Sequence, residues 1–212
     1  MPSLQTESQG QRLGLQDYSE DFERHFWRSG SEGFWKLERR QSFREPGVAS
    51  WEAFHRGDWA GALALIEGQR GHYEDYLQRI RTSGFALHRV RCVEEPLSPY
   101  LQWELHLLHL KAQCGEDTRV LSKDGLLRYE DQSPLPEIVV LGSSVMYEVL
   151  YDDSGELVGG IRFDDPRDVS RYRRAIQEMH RSGEPLDGFF SRRVASLPPP
   201  AVPAGQRRTA HP

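Results

Sequence analysis

The sequence predicts an α+β domain: an antiparallel sheet of about five or six strands with helices packed on it. The first observation is a run of three apolar segments, over residues 138–141, 145–151 and 157–163, joined by short links that contain glycine. Segments this rich in β-branched and aromatic residues are typical of strands connected by tight turns. The second observation is helical apolar spacing after Asp58 and after Ser98, which are residue types that cap helices. Together, these observations predict a central meander with helices packed on it.

The N-terminal part is predicted as a flexible lead followed by an aromatic-rich helical region. Residues 1–17 are polar and lack apolar periodicity, so we expect no fixed structure there. A single domain is predicted for residues 18–195, and its helical part covers residues 18–84. Within that part, residues 34–43 are predicted to be extended or irregular. The longest helix is expected from Trp59 to about Thr82.

The middle of the chain predicts strands on either side of a well-marked helix. Residues 85–93 alternate between two faces, as a strand does. Ser98 followed by a proline predicts a helix start, and Gly115 predicts its end. Two short strands, residues 118–121 and 126–129, are expected to form a hairpin.

The C-terminal part predicts a closing helix and a tail. Pro166 begins the helix after an aspartate cap, and Gly183 ends it. Residues 185–194 add a further helical piece. Residues 196–212 are rich in proline and predict a disordered tail with polyproline character.

Composition favours a soluble, cytoplasmic protein. The net charge of −5 argues against broad nucleic-acid binding. No stretch approaches 18 consecutive apolar residues, so we expect no membrane span. The two cysteines, Cys92 and Cys114, form neither a disulfide framework nor a zinc-binding pattern.

Six short motifs carry a resemblance to a known family. They are WKLER at 35–39, SWEAF at 50–54, GDW at 57–59, RVR at 89–91, PLSPY at 96–100 and VLYD at 149–152. With them, the chain resembles an uncharacterised bacterial family, a domain of unknown function common in high-GC filamentous bacteria. Members of that family often occur beside helix-turn-helix regulators. The resemblance therefore implies a regulatory or accessory role, with such a regulator or another protein as the partner.

Arginines on the predicted strands are candidate ligand-binding residues. They are Arg89, Arg91, Arg119 and Arg162. Guanidinium groups held on a rigid sheet can bind carboxylate or phosphate, which predicts a site for a small anionic ligand. The competing interpretation is ordinary ion pairing with neighbouring acidic residues.

Glu148 is the remaining candidate, because it is a lone carboxylate in the middle of an apolar strand. The length of the loop after Tyr151 decides its partner. A loop of two or four residues separates Glu148 from Arg162 across the sheet. A loop of three residues, with Gly155 in the left-handed conformation, puts both on one face. We expect the three-residue loop, because it provides a counter-charge for Glu148.

One helix carries a possible metal-binding pattern, Glu104 with His106 and His109. The two histidines are three residues apart, and no third strong ligand is tied to them by sequence. We expect a polar helix face, no bound metal and no cofactor. Neither a phosphate-binding glycine loop nor a nucleophile elbow is present.

These observations predict a non-catalytic regulatory or accessory protein that binds a partner protein or a small anionic ligand. The alternative is a group-transfer enzyme, acting on acyl or aminoacyl groups, with the strand arginines as an anion clamp and Glu148 or a histidine as base. An RNA contact through local arginines is a third and weaker possibility, which the net charge disfavours. No catalytic residue is identified from the sequence.

Overall fold

A mixed sheet with helices on both faces forms the protein in the computed structural model, which describes residue 4, residues 6–130 and residues 134–201. The described strands are β1 (Gln11–Gly14), β2 (Phe34–Glu38), β3 (Leu87–Val93), β4 (Asp117–Ser122), β5 (Glu137–Leu141), β6 (Val145–Tyr151), β7 (Leu157–Phe163) and β8 (Glu184–Pro185). The described helices are α1 (Leu15–Phe26), α2 (Ala49–His55), α3 (Trp59–Glu67), α4 (Arg70–Thr82), α5 (Pro99–Cys114), α6 (Lys123–Leu126), α7 (Pro166–Ser182) and α8 (Leu186–Arg193). None of the described helices is both long enough and apolar enough to cross a membrane.

The strand order is β1-β7-β6-β5-β2-β3-β4-β8. The α+β class is confirmed, but the sheet has eight strands among the described residues and is not purely antiparallel. The strands β2, β3 and β4 are parallel to one another. Parallel neighbours need long crossovers, which the helices α2 to α4 and then α5 provide. The sequence prediction missed this because it treated residues 34–43 as extended or irregular and did not place them in the sheet, whereas β2 lies in the middle of it.

Each face of the sheet buries its own apolar core. We call the two sides the α5 face and the α7 face, after the helix that lies across each one. Side-chain alternation along β6 shows the division, since Tyr147 packs on the α5 face and Met146 on the α7 face, both fully buried. The α5 face also carries the aromatic cluster of α1, and the α7 face packs against Tyr172 and Ile176.

The helix boundaries marked by capping residues agree with the sequence prediction. The Ser98 hydroxyl accepts a hydrogen bond from the backbone N–H of Leu101 at the start of α5. Gly115 ends α5 in the left-handed conformation. The Asp165 carboxylate accepts a hydrogen bond from the backbone N–H of Arg167 at the start of α7. These caps act within a few residues of the chain, so sequence alone suffices to find them.

Two local predictions are wrong. The helix expected from Trp59 to about Thr82 is two helices, because α3 ends at Gly68 and α4 begins at Arg70. The hairpin expected at residues 118–129 is β4 followed by the short helix α6. Ser122 caps that helix through the backbone N–H of Gly125, so the polar residues after Ser122 begin a helix and form no strand turn.

The first residues of the chain differ from the predicted flexible lead. The strand β1 pairs with β7, and α1 begins at Leu15, within the segment expected to lack structure. Further upstream, the backbone N–H groups of Glu7 and Ser8 donate to the Asp168 carboxylate at the start of α7. Polar backbone contacts of this kind leave no apolar periodicity in the sequence, which is why the prediction missed them.

The start of the proline-rich tail lies against α5. The Gln102 side chain donates a 2.7 Å hydrogen bond to the carbonyl of Pro198. The disorder expected for the rest of the tail, residues 202–212, concerns residues outside the described part of the chain, as does that expected for residues 1–3 and 5.

Candidate functional site

A group of charged side chains lies buried between the sheet and α5. We call it the charge network, and it consists of Lys36, Glu38, Arg89, Arg91, Glu104 and Glu116. The parallel register of β2 and β3 builds it, because Lys36 lies opposite Arg89 and Glu38 lies opposite Arg91. Alternate residues of a strand share a face, so all four side chains point toward α5.

Arg89 is bound by two carboxylates. Its guanidinium lies 2.6 Å from the Glu38 carboxylate, and its Nε donates at 2.5 Å to Glu116. Burial by itself would lower the pKa of Arg89, because it disfavours the charged form. The charges of Glu116 and Glu38 outweigh this effect and hold the pKa well above its usual value. Glu38 is also buried, which by itself would raise the pKa of its carboxyl. The charges of Arg89 and of Lys36, whose Nζ lies 2.5 Å from Glu38 Oε1, outweigh this effect and hold that pKa below its usual value.

Arg91 is fully buried and forms the second half of the network. Its Nε donates at 2.7 Å to the Glu104 carboxylate on α5, and one terminal nitrogen donates to the carbonyls of Glu38 and Cys92. The hydroxyl of Tyr100 donates to Glu104 as well. Burial raises the pKa of Glu104, although the charge of Arg91 works in the opposite direction.

Glu137 borders the network on β5. Its carboxylate accepts hydrogen bonds from the backbone N–H groups of Arg39 and Arg40, at 2.9 and 2.6 Å. Burial, together with the nearby charge of Glu38, raises the pKa of Glu137 to about 7. This carboxyl therefore titrates near neutral pH inside the fold.

The two arginines of β3 are already bound within the protein. Each lies at most 8% exposed and is ion-paired to a carboxylate of the same chain. Each guanidinium thus has a carboxylate of the chain as its counter-charge, although Nη2 of Arg91 makes no hydrogen bond with a described residue. The arrangement therefore acts as a structural ion-pair network under α5.

The other two candidate arginines lie elsewhere. Arg119 is on the α7 face, where it donates at 3.3 Å to Asp117. Arg162 lies opposite Tyr147 in the sheet and is bound by Asp21, at 3.0 Å, and by Asp164, at 2.8 Å. The structure brings Arg89 and Arg91 together and leaves these two in separate ion pairs.

Glu148 does not meet Arg162, and the reason is a second irregularity in the sheet. The loop itself has the expected form, because Asp152 and Glu156 are hydrogen bonded around three residues, and Gly155 is left-handed. Beyond it, the register shifts by one residue, so that Tyr151 lies opposite Leu157 but Leu150 lies opposite Gly159. This β-bulge returns Arg162 to the α5 face. The predicted pair of Glu148 with Arg162 is therefore wrong.

The half-buried Glu148 lies on the α7 face, opposite Ile161, and makes no ion pair with any described residue. Burial alone raises the pKa of its carboxyl. Burial, together with the nearby charge of Glu148, raises the pKa of Tyr172 on α7 to about 12.

The two histidines of α5, His106 and His109, lie in different environments. His109 stacks on Phe190 with ring centres 4.0 Å apart, and its Nε2 lies 3.2 Å from Asp187. His106 meets the edges of Phe190 and Trp59. Glu104, the third member of the predicted pattern, is bound to Arg91 on another side of the helix. In the part of the chain that the structure describes, these residues form no metal-ligand group.

A different group of ligand-type side chains meets on the α7 face. His88 of β3 lies opposite Asp117 of β4, and His180 reaches them from the last turn of α7. Their candidate ligand atoms all lie within 4.8 Å of one another. The three residues are far apart in sequence, and only the parallel pairing of β3 with β4 places the first two side by side. Sequence reasoning had no signal for this cluster.

Two of the surface cavities among the described residues also bear on function. A cavity of about 280 Å³ is lined by Arg39, Arg40, Glu137 and Tyr151, among others. Arg40 is exposed there and makes no ion pair with any described residue, and its guanidinium lies 5.4 Å from the centre of the Tyr151 ring. A second cavity, also of about 280 Å³, opens between α2, α3, α4 and α5. We call it the apolar groove after the exposed Val48 and Leu65 in its lining, although polar atoms make up the larger part of its accessible surface.

The apolar groove has no charged residue in its lining. It is lined by Gly47, Val48, Ala49, Ser50, Leu65, Ile66, Gln69, Tyr73 and Leu107. Two of these, Val48 at 36% and Leu65 at 42%, are among the six large apolar side chains that are exposed within the described residues. Val48 and Leu65 thus place two exposed apolar side chains in the lining of one groove.

Comparison with known proteins gives one match. A family model described as a domain of unknown function (DUF6879) matches residues 20–191. The matched range includes the charge network, the histidine cluster and the apolar groove. No curated protein and no solved structure matches the chain. The resemblance to a family of unknown function is confirmed at that level.

Proposed function

Because the chain belongs to the DUF6879 family, whose description states no activity, we propose a function from the structure: a non-catalytic regulatory or accessory protein that binds a partner protein. The apolar groove carries this proposal. Val48 and Leu65 are exposed on its rim, and its lining holds no charge that would bind an anion.

The size of the groove favours an apolar side chain of a partner. Pockets for small molecules usually measure about 300–1,000 Å³. The groove, at about 280 Å³, is at the lower limit of that range and suits one or two apolar side chains. An amphipathic helix presents such side chains as anchors. A helix-turn-helix regulator, the partner that the sequence resemblance implies, is built from helices of this kind.

The group-transfer alternative has less support. It needs the strand arginines to face a substrate, whereas Arg89 and Arg91 are buried and bonded to Glu116, Glu38 and Glu104. Glu148, its candidate base, lies on the opposite face of the sheet from both arginines.

Leu65→Asp tests the proposal. Partners are first identified by crosslinking in the native host, and the purified partner is then titrated against the wild-type protein and the variants. A charge on the rim of the groove should weaken binding by at least about tenfold, because a desolvated anchor contact is lost. Leu127→Asp is the matched control, since Leu127 is exposed but lies after α6, away from the groove. Equal affinity for all three proteins would refute the groove as the binding site.

The exposed Arg40 supports a second candidate, binding of a small anionic ligand. Its guanidinium is free of carboxylate partners among the described residues and lies beside a cavity. Phosphate and citrate should raise the melting temperature of the wild-type protein more than that of Arg40→Gln. Arg56→Gln, on the exposed side of α2, is the control. Equal shifts in all three proteins would show that the anions act nonspecifically.

A further inference from the structure

We propose that His88, Asp117 and His180 form a binding site for one divalent transition-metal ion, with zinc as the best-fitting ion. Two imidazole groups and one carboxylate are the donor set that zinc and its neighbours prefer, whereas magnesium and calcium take oxygen ligands. This site is separate from the apolar groove, so the proposal does not depend on the proposed function.

The distances between the donor atoms fit a metal ion. His88 Nδ1 lies 3.5 Å from Asp117 Oδ2, and His180 Nε2 lies 3.4 Å from Asp117 Oδ1. Ligands that are held at about 2.0–2.1 Å from a tetrahedral zinc ion lie roughly 3.3–3.4 Å from one another. Both measured separations are close to that value, and they end on different oxygens of Asp117, so both carboxylate oxygens would face the ion. The remaining pair, the two imidazoles, stays within the 4.8 Å that spans the whole group.

One of the donor atoms lacks a close hydrogen-bond partner in the fold. The Nδ1 atom of His88 is buried and makes no hydrogen bond of normal geometry, and the nearby Asp117 Oδ2 lies 3.5 Å from it. A buried polar atom without a close hydrogen-bond partner is unfavourable, and it calls for an explanation. A metal ion between His88 and Asp117 supplies one, because it would accept the lone pair of this nitrogen.

The surroundings hold the donors in place. The indole of Trp35 stacks on the His88 ring, with centres 4.0 Å apart, and meets the His180 ring edge-on at 5.5 Å. The Trp35 Nε1–H is itself fixed by a 2.8 Å hydrogen bond to the carbonyl of Glu32. Arg119 donates to Asp117 Oδ1, which leaves Oδ2 directed at His88. Support of this kind around the ligands is usual at metal sites.

The same contacts also define the competing interpretation. His180 Nε2 lies 3.1 Å from the backbone carbonyl of Asp117, so this nitrogen can act as a hydrogen-bond donor in a metal-free protein. Under that interpretation His88 and His180 only pack against Trp35. The two interpretations differ in what zinc does to the protein.

The protein supplies three ligands, so a fourth position remains for water or another ligand. Asp117 is 46% exposed, which gives an ion access from solvent. From the sequence we expected no bound metal and no cofactor, an expectation argued from His106 and His109, which lie on the other face of the sheet. The proposed site departs from that expectation.

The test is metal titration of the full-length protein after chelator treatment. Zinc affinity is measured by competition with a chromophoric chelator, and cobalt binding by the visible absorption of a tetrahedral complex. We expect one equivalent of each ion, and no binding of magnesium. His88→Gln and Asp117→Asn should weaken zinc binding by at least about tenfold. His109→Gln should bind zinc as tightly as the wild-type protein, because His109 is paired with Asp187 elsewhere.

Two outcomes would overturn the proposal. Either no stoichiometric zinc or cobalt binding is found, or His88→Gln and Asp117→Asn bind zinc with wild-type affinity. Loss of affinity in His109→Gln instead would place the metal on α5. Circular dichroism of each variant without metal separates loss of a ligand from loss of the fold, and His180 is left unchanged because its buried ring packs against Trp35.

Discussion

At the scale of single residues, buried charge is balanced within the chain. Arg89 and Arg91 each bind a carboxylate that arrives from a different element. A buried pair contributes little net stability, but removal of one partner leaves a charge that water cannot reach. The same reasoning separates Glu148 from the network, because its carboxylate has no cationic partner among the described residues and its burial is incomplete.

Removal of Glu104 should therefore destabilise the protein strongly. Glu104→Ala leaves the fully buried Arg91 without its carboxylate, and we expect a loss of about 3–5 kcal/mol in the free energy of unfolding, measured with urea. The double variant Arg91→Met with Glu104→Leu should recover most of the lost free energy of unfolding, since Tyr100 keeps Glu45 as a hydrogen-bond partner. The control Glu67→Ala, in an exposed pair with Arg70, should be nearly neutral. A single Glu104→Ala variant as stable as the control would contradict this.

Glu137 should make stability depend on pH. Its pKa is raised from 4.5 to about 7 in the folded protein, so the folded state binds the proton more tightly than the unfolded state. The stability that protonation contributes is fully present below about pH 4.5 and is lost as the pH rises through about 7. Compared with Glu137→Gln, the wild-type protein should lose roughly 3 kcal/mol over this range.

Urea unfolding at a series of pH values measures this difference. The control is Glu20→Gln, which removes the same charge from the exposed side of α1. Its pH profile should run parallel to that of the wild-type protein. Parallel profiles for wild type and Glu137→Gln would show that Glu137 is not the titrating group.

At the scale of elements, one bulge decides which side chains meet. The three-residue loop at Gly155 would have paired β6 and β7 so that Arg162 shared a face with Glu148. The extra residue, Val158, reverses this, and Gly159 follows it with a φ of 145°. A Cβ atom on Gly159 would lie 2.2 Å from the carbonyl oxygen of Leu13 in β1. The bulge and the close approach of β1 thus both depend on glycine.

Gly159→Ala should consequently disrupt the edge of the sheet. The clash is with backbone, which cannot move aside as a flexible side chain does, and we expect a loss of at least about 2 kcal/mol in the free energy of unfolding. Gly71→Ala in α4 is the matched control, because its Cβ meets nothing within 4 Å and alanine favours a helix. That control should be neutral or slightly stabilising. Equal stability of both variants would show that β1 is not held against Gly159.

At the scale of the whole molecule, the N-terminal segment links the two faces of the sheet. It contacts α7 through Glu7 and Ser8, pairs with β7 as β1, and continues into α1 on the α5 face. This path replaces the expectation that residues 1–17 have no fixed structure.

Deletion of residues 1–14 should lower the melting temperature by more than about 5 °C. The deletion removes the β1–β7 pairing and the backbone hydrogen bonds to Asp168. For a chain of 212 residues, 1 kcal/mol corresponds to roughly 2–4 °C. Asp168→Asn in the full-length protein should give a smaller decrease, because β1 remains. Calorimetry measures both, and an unchanged melting temperature after the deletion would contradict the role of β1.

Features that depend on neighbouring residues could be predicted from the sequence. The cap at Ser98, an aspartate cap before Pro166, the end of α5 at Gly115 and the three-residue loop at Gly155 were predicted correctly, and the structure identifies that aspartate as Asp165. Each depends on hydrogen bonds or backbone conformations that span only a few residues. The meander of β5, β6 and β7 was found for the same reason, since its strands are consecutive in the chain.

Only the tertiary structure decided the order of the strands, and with it the sites. The parallel pairing of β2, β3 and β4 brings Glu38 to Arg89 and Asp117 to His88 across long stretches of chain. One extra residue in a bulge moves Arg162 to the opposite face. Side chains in a strand alternate with a period of two, so a change of neighbour or a shift of one residue changes every contact. Local propensities do not encode which neighbour or which register the folded chain adopts.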